Sequence, residues 1–320
     1  MVVAMSNVNF APLVTVCIPM FNAEKYIRET FSRLSEQTYP NIEIVVVDDH
    51  SSDDSLQLVS EYEGPRFKVF LNPGKGACSA RNHAFRKASG SYIKFMDVDD
   101  FCNNTLIERQ MAALVGKTNQ TVVFSPLRML FSDGRSILPE RKIDLNFEPA
   151  IDLQIAIWNF GGFNCPHCYL MHRDLVEKAD GWNEALLKNQ DGEFFARLLA
   201  SADKAISVAD DYVIWRQTGV GISSQVGLCA LRSKFDSYVE ISRVILSKSD
   251  TPFTREVCAR YIGLFVFTQY PHIKSIMPDI EILLAEIGAP LILPDRRALK
   301  LLRLIIGWKL AVELIHKFNL

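Results

Sequence analysis

The 320-residue sequence predicts an α/β protein: a Rossmann-like open, mostly parallel sheet flanked by helices, continued by a helical C-terminal extension. Three observations predict it. Short runs rich in Val, Ile and Phe recur at strand length through the first hundred residues, helical periodicity fills the intervals between them, and beyond about Leu228 strand alternation ceases.

The strand-like runs are 13–18, 42–47, 67–71 and 91–96. Residues 42–47 are apolar almost throughout, as expected of a strand covered by helices on both faces, and that implies a parallel sheet. Ala23, Tyr26, Ile27, Thr30, Phe31 and Leu34 fall at helical spacing after Asn22, a good N-cap residue, and Ser51 or Ser52 can cap a second helix before Leu56 and Val59. A third helix is expected over 78–88, with Gly90 as its stop. Strands and helices then alternate with right-handed crossovers, and ligands of such sheets bind beyond the carboxyl ends of the strands. Those ends carry Pro19-Met20-Phe21-Asn22, Asp48-Asp49-His50-Ser51-Ser52, Asn72-Pro73-Gly74-Lys75-Gly76 and Asp97-Val98-Asp99-Asp100, so polar and acidic residues converge on one rim. A helix over 104–115 and a strand over 121–125 follow, then mixed segments to about 224. The expected organisation is an N-terminal extension (1–12), an α/β domain (13–225) and a helical region (226–320).

Apolar residues make up 48% and charged residues 22%, which excludes disorder, collagen-like repeats and coiled coil, and a chain this long can bury roughly three quarters of its unfolded surface. With 35 basic against 37 acidic residues the net charge is −2, which argues against a nucleic-acid partner. Residues 1–23 are uncharged, yet Ser6, Asn7, Asn9, Pro12 and Asn22 interrupt them and no basic residue leads them, so a secretion signal is not expected. The stretch 153–171 lacks Asp, Glu, Lys and Arg but contains Gly161, Gly162, Asn164 and Pro166, and reads as buried interior. Seven cysteines suit a reducing compartment, so the expected location is cytoplasmic. Residues 296–318 form a basic amphipathic pattern that either packs on its own domain or lies in a membrane interface, which would place the protein peripherally at the inner face of the plasma membrane.

Asp97-Val98-Asp99-Asp100 is the sharpest chemical feature. Three carboxylates within four residues repel one another unless solvent or a cation offsets their charge, and oxygen-rich sites suit Mg2+ or Mn2+. A solvated acidic turn is the plainer reading, but Asp48-Asp49 ends another strand on the same rim. A dinucleotide fingerprint is absent after the first strand, Gly74-Lys75-Gly76 is too short for a P-loop, and Phe101 stands where an aspartyl-phosphate phosphatase would carry Thr.

Val14-Thr15-Val16-Cys17-Ile18-Pro19-Met20-Phe21-Asn22, Val46-Val47-Asp48-Asp49-His50-Ser51-Ser52-Asp53, Ala80-Arg81-Asn82 and Gly90-Ser91-Tyr92-Ile93-Lys94-Phe95-Met96-Asp97-Val98-Asp99-Asp100 closely resemble family 2 glycosyltransferases, inverting nucleotide-sugar-dependent enzymes with the GT-A fold. The resemblance runs in register over about 13–100, continues loosely to about 220 and stops there. It implies a nucleotide-binding half over about 13–100 and an acceptor half over about 101–225. Asp49 resembles the residue that binds the donor's base, with Asp48 beside it, and Pro19 belongs to the same nucleotide-binding set; a carboxylate can accept the imide N–H of uracil. Arg81 either contacts the nucleotide or sits on a helix surface. Asp97 and Asp99 match the family's Asp-x-Asp pair, which implies Mn2+ or Mg2+ at the diphosphate with Asp99 the more direct ligand.

In Asn189-Gln190-Asp191-Gly192-Glu193, the resemblance assigns Asp191 as general base, with Gln190 where relatives often have Glu. Without it, Asp191 reads as a helix N-cap. Trp182 and Glu184 lie in a loop that resembles the family's acceptor side, although a buried Trp is the commoner outcome. Arg216-Gln217-Thr218 stands where relatives often show Arg-x-His, so Arg216 would contribute more to the diphosphate. Cys165-Pro166-His167-Cys168 reads as a redox pair, as a zinc half-site with His172, or as packing, with His167 also placed to touch substrate. The expected function is transfer of a sugar from a UDP-sugar to a carbohydrate or lipid-linked acceptor, as in polysaccharide biosynthesis. A non-catalytic nucleotide-sugar or carbohydrate binder on the same fold, and a thiol oxidoreductase using Cys165 and Cys168, are the alternatives.

Overall fold

The computed structural model of the chain describes residues 11–218 and 227–318. In chain order the elements are β1 (Val14–Met20), α1 (Glu24–Ser35), β2 (Ile42–Asp48), α2 (Ser55–Ser60), β3 (Phe67–Leu71), α3 (Ala77–Lys87), β4 (Tyr92–Phe95), β5 (Phe101–Cys102), α4 (Leu106–Leu114), β6 (Thr121–Phe124), β7 (Leu127–Leu130) and β8 (Ser136–Ile137). They continue as α5 (Ile151–Phe160), β9 (Tyr169–His172), α6 (Arg173–Lys178), α7 (Gln190–Ser201), β10 (Lys204–Ser207), β11 (Val213–Arg216), α8 (Leu228–Lys248), α9 (Pro252–Gln269), α10 (Met277–Ile287) and α11 (Arg297–Phe318). The chain divides into two compact units. One comprises Met1–Glu140, Asn164–Trp182 and Lys204–Gln217; the other comprises Arg141–Phe163, Asn183–Asp203 and Thr218–Leu320.

The first unit holds every strand among the described residues. Its main sheet runs β10-β6-β9-β4-β1-β2-β3, parallel throughout except for β9, which is antiparallel to both β4 and β6. This is the expected α/β architecture. β1 and β2 are buried at every position, with helices over the sheet; Glu43 on β2 is tolerated because Thr15, Lys68 and Ser89 donate to its carboxylate. Lys94 on β4 is fully buried and donates to Gln110 Oε1 of α4 at 2.9 Å and to the Tyr169 carbonyl of β9 at 3.3 Å, which ties the reversed strand to the parallel set. A second sheet, β5-β11-β7-β8, was not evident in the sequence because two of its strands are only two residues long.

Three local expectations are corrected. Asn22 does not cap α1: it adopts φ 47°, its Oδ1 accepts from the Ser52 N–H at 2.8 Å, and its own N–H donates to Ser51 Oγ at 2.9 Å. Ser51 and Ser52 are thereby spent on the neighbouring loop rather than on α2, and Asp53 Oδ1 accepts the Ser55 N–H at that helix start instead. The sheet brings the two loops side by side, and partners thirty residues away displace the local cap. Gly90 does not stop α3, which ends at Lys87. A Cβ at Gly90 would lie 2.6 Å from Thr15 Oγ1 and 2.8 Å from the Leu13 carbonyl oxygen, so glycine permits the close approach of β1.

The second unit is helical. α7 packs on α5 and α8, and α9 packs on α5, α8 and α10. Trp158 of α5 stacks on Tyr261 of α9 at 4.5 Å between ring centroids. Thr251 and Thr254 form a reciprocal capping box at the start of α9, with Pro252 in its first turn.

Candidate active site

In the first unit, acidic residues end two strands that flank β1. Asp48 is the last residue of β2, paired in register with Met20, and its side chain is 1% exposed. Its Oδ2 accepts the Ser51 N–H at 3.1 Å, while Oδ1 has no hydrogen-bond partner among the described residues. Asp49 follows. Its carboxylate accepts from Asn72 Nδ2 at 2.7 Å and from the Gly76 N–H at 2.8 and 2.9 Å, so it fastens the loop after β3 to the end of β2. Asn72 and Gly76 (φ 94°) escaped the sequence reading, although both lay in the polar rim segment. Pro19 is buried within β1 beside Val47.

Arg81 is not a surface side chain. It is 5% exposed on α3, donates to Asp97 Oδ1 at 2.6 Å and lies 4.4 Å over the ring of Trp182. Trp182 is likewise buried, edge-to-face with Phe95 at 5.2 Å. Asn82, next to Arg81, brackets the Trp182 peptide: its Nδ2 donates to the Trp182 carbonyl at 2.9 Å and its Oδ1 accepts the Trp182 N–H at 2.8 Å.

Asp97, Asp99 and Asp100 sit beyond β4 in graded environments. Asp97 is half-buried and paired with Arg81. Asp99 is half-buried, and its removal from water together with the neighbouring Asp97 charge pushes its carboxyl up to about 6. Asp100 is fully buried; burial first, then the charges of Asp99 and Asp97, raise it well above the ordinary carboxylate range, while its Oδ1 accepts the Arg216 N–H at 2.8 Å.

His167 is 0% exposed, with Nε2 3.2 Å from the Ile214 carbonyl and Nδ1 3.6 Å from Asp100 Oδ2. That approach is not an ion pair. Burial and the Lys94 charge lower the imidazole to about 3, leaving it neutral, and the Asp100 carboxyl is pushed toward its protonated form. Arg216 donates through Nη2 to Glu29 Oε2 at 2.7 Å, and this bond lowers the Glu29 carboxyl.

Cys165 and Cys168 are buried thiols whose sulfurs share a 3.5 Å hydrogen bond and no disulfide, and burial raises the Cys165 thiol well above its ordinary value. His172 caps α6, accepting the Asp174 N–H at 3.3 Å. Among the described residues no three His, Cys, Asp or Glu side chains gather as a metal cage. Asp97 and Asp99 nonetheless suit a hard divalent cation. Their donors are oxygens, their mutual repulsion is what a cation relieves, and the remaining ligands would come from phosphate oxygens or water.

In the second unit, Asp191 stands half-buried in the first turn of α7. It is not the cap. Asn189 holds that position at φ 56°, donating through Nδ2 to Ser237 Oγ of α8 at 2.8 Å, and the Leu187 N–H donates to Ser233 Oγ at 2.7 Å. Gly192 beside it leaves room for the Asn189 amide, since a Cβ there would come within 2.8 Å of Asn189 Oδ1. Glu193 is buried and paired with Arg197 at 2.6 and 2.8 Å, and Phe194, Phe195 and Leu198 form the buried face of α7. Glu184 is exposed in the preceding loop.

Known proteins share both the sequence pattern and the fold. A glucosyltransferase of Escherichia coli, WfgD, described as UDP-Glc:alpha-D-GlcNAc-diphosphoundecaprenol beta-1,3-glucosyltransferase, is 34% identical over 133 residues, covering 40% of this chain and 52% of its own. The chain spans about half the length of the curated relatives it matches, between 41% and 52% for three of them. The structure of S. aureus TarS 1-349 in complex with UDP-GlcNAc superposes with a TM-score of 0.70 at 20% identity, covering 96% of this chain and 92% of that one. The mannosyltransferase PcManGT of Pyrobaculum calidifontis, in complex with GDP-Man and Mn2+, gives 0.55 at 16% identity, covering 97% and 88%. The fold is therefore the GT-A architecture. The profile of glycosyl transferase family 2 matches residues 15–179, more than half of the sequence, and this chain belongs to that family.

Proposed function

We propose that the protein is an inverting glycosyltransferase that moves a sugar from a UDP-sugar to a carbohydrate or lipid-linked acceptor. One observation carries the reading: carboxylates at the ends of β2 and β4, on either side of β1, form an acidic rim backed by the buried Arg81–Asp97 pair. The complexes of TarS with UDP-GlcNAc and of PcManGT with GDP-Man and Mn2+ support it.

In this proposal Asp49, Asp48 and Pro19 hold the base and ribose side of the donor. The orphaned Asp48 Oδ1 supplies an acceptor that gains a partner when a donor N–H or O–H arrives. Arg81 neutralises Asp97 and keeps it aimed at the diphosphate, and Asp99 with Asp97 would hold Mn2+ or Mg2+. Such an ion neutralises charge on the departing nucleoside diphosphate. Asp191 takes the proton of the acceptor hydroxyl, which attacks the anomeric carbon from the face opposite the diphosphate, so configuration inverts in one displacement. Arg216, released from Glu29, offers a further cation to the diphosphate. Trp182 and His167, both buried, support the acceptor side by positioning neighbouring backbone, and Glu184 is the exposed member of that set. With a lipid-linked acceptor, the proposal has the protein work at the cytoplasmic membrane face, in peripheral contact through residues 296–318. The test is UDP release from a panel of UDP-sugars, assayed with Mn2+ and with a chelator. Release that requires Mn2+ and is lost in Asp99→Ala supports the proposal; donor binding without release under any acceptor leaves only a binding protein.

A further inference from the structure

We infer that the outward face of residues 297–306, the first half of α11, is a docking surface for an anionic lipid bilayer. The inference deepens the membrane part of the proposed function and rests on it for the presence of a lipid-linked acceptor, but its physical grounds lie in this segment alone.

The segment has two apolar faces. Leu299 is buried, and Leu302 and Ile306, on the same side of the helix, are half-buried. Leu301, Leu304 and Ile305 fall at i, i+3 and i+4 on the other side and are 67%, 81% and 80% exposed. A helix that only packs on its own domain needs the first stripe and gains nothing from the second.

The backbone separates this segment from its anchor. Gly307 breaks the helix at φ 74°, a left-handed conformation in which a side chain would be strained. Beyond it Ala311, Val312 and Ile315 are buried, the Trp308 ring lies 5.3 Å from Tyr270, His316 Nδ1 is 3.2 Å from the Tyr270 carbonyl, and Lys274 pairs with Glu313 at 2.9 Å. The half after the break holds on to the unit; the half before it presents its leucines.

Charge selects the occupant. Arg297, Lys300 and Arg303 lie along one flank of the exposed stripe, Arg296 just before the helix rests its guanidinium 4.8 Å over the Phe267 ring, and the one acidic residue in 295–306 is Asp295, paired with Lys300 at 2.7 Å. Such a cationic margin along one side of an apolar strip matches anionic headgroups above acyl chains. A second copy of the chain is the poorer fit, because a twofold contact would set these cations against their own images. The segment lies in the interface plane: no helix among the described residues is long and apolar enough to cross a membrane.

The experiment is co-sedimentation of the full chain with pure phosphatidylcholine vesicles and with vesicles containing phosphatidylglycerol. Binding should require the anionic lipid, weaken as salt is raised, and fall by about tenfold or more in Leu304→Ser/Ile305→Ser and in Arg297→Glu/Arg303→Glu, with unchanged circular dichroism. Equal binding by these variants, no binding by the parent, or no preference for anionic lipid overturns the inference. So does light scattering that shows an oligomer which Leu304→Ser/Ile305→Ser dissociates, since the stripe would then belong to a second copy. Nucleotide release measured without vesicles reads the transferase proposal separately: its loss in the parent, with vesicle binding kept, sinks that proposal and leaves this one standing.

Discussion

Replacing Asp99 by Asn should make the metal-free protein more stable at neutral pH, because the native carboxylate is held where its charge is costly. Its carboxyl lies at about 6 in the folded protein against an ordinary 3.8. Between those values the folded state binds more protons than the unfolded one, so the unfolding free energy falls as pH rises from about 4 to about 6, and the loss is complete above that range. Roughly two pH units correspond to about 3 kcal/mol if the group were fully removed from water. Asp99 is only half-buried, so solvent screening reduces this to about 1–2 kcal/mol. The assay is urea unfolding of parent and Asp99→Asn in chelator at a series of pH values. The variant's advantage should be small near pH 4, grow through pH 5, and level off above about 6.5. Mn2+ should narrow it, because the parent carboxylate then faces a cation. A variant no more stable than the parent at neutral pH, or an advantage that does not change with pH, would refute the electrostatic account of this rim.

Three further outcomes are expected. Asp191→Asn should lower transfer by about 10²–10⁴-fold with donor affinity kept, as checked by single-turnover kinetics beside calorimetric donor titration; near-normal transfer removes Asp191 as base. Arg81→Ala leaves Asp97 without its partner and uncovers the Trp182 ring, and should cost about 2–4 kcal/mol in urea unfolding with a shift in tryptophan emission, whereas a cost below about 0.5 kcal/mol would mean the pair is structurally idle. In the native protein an alkylating reagent should label Cys229, the exposed thiol, and leave Cys165 and Cys168 unmodified until denaturant is added; rapid labelling of the latter two would revive the redox reading.

Much of the fold could be read in advance because its signals are local. The run 42–47, apolar but for Glu43, reads as a strand buried on both faces, and the expected bounds of the first four strands fall within two residues of those observed. Gly90 and Asn22 misled for a common reason. Each is a good helix punctuator by chemistry, but the neighbouring strand or loop, brought close by sheet pairing, makes the stronger claim on it. The reversed β9 and the short second sheet could not be seen, since strand direction and two-residue pairings leave no periodic trace.

At the candidate site the division is similar. The chemistry was legible because the acidic residues cluster in sequence at strand ends: Asp48 and Asp49, Asp97, Asp99 and Asp100. Their individual environments were not, because a carboxylate's burial depends on what folds over it. Only the tertiary structure places Arg81 against Asp97 and Trp182, seals His167 beside Asp100 as a neutral imidazole, and assigns the cap of α7 to Asn189 rather than Asp191. The sequence by itself determined the first four strands of the parallel sheet and which residue types crowd its rim, since both follow from periodicity and local composition. Which carboxylates are paired, shielded or left reaching for a ligand was decided by long-range packing, because electrostatic cost is set by the surroundings and not by the order of residues along the chain.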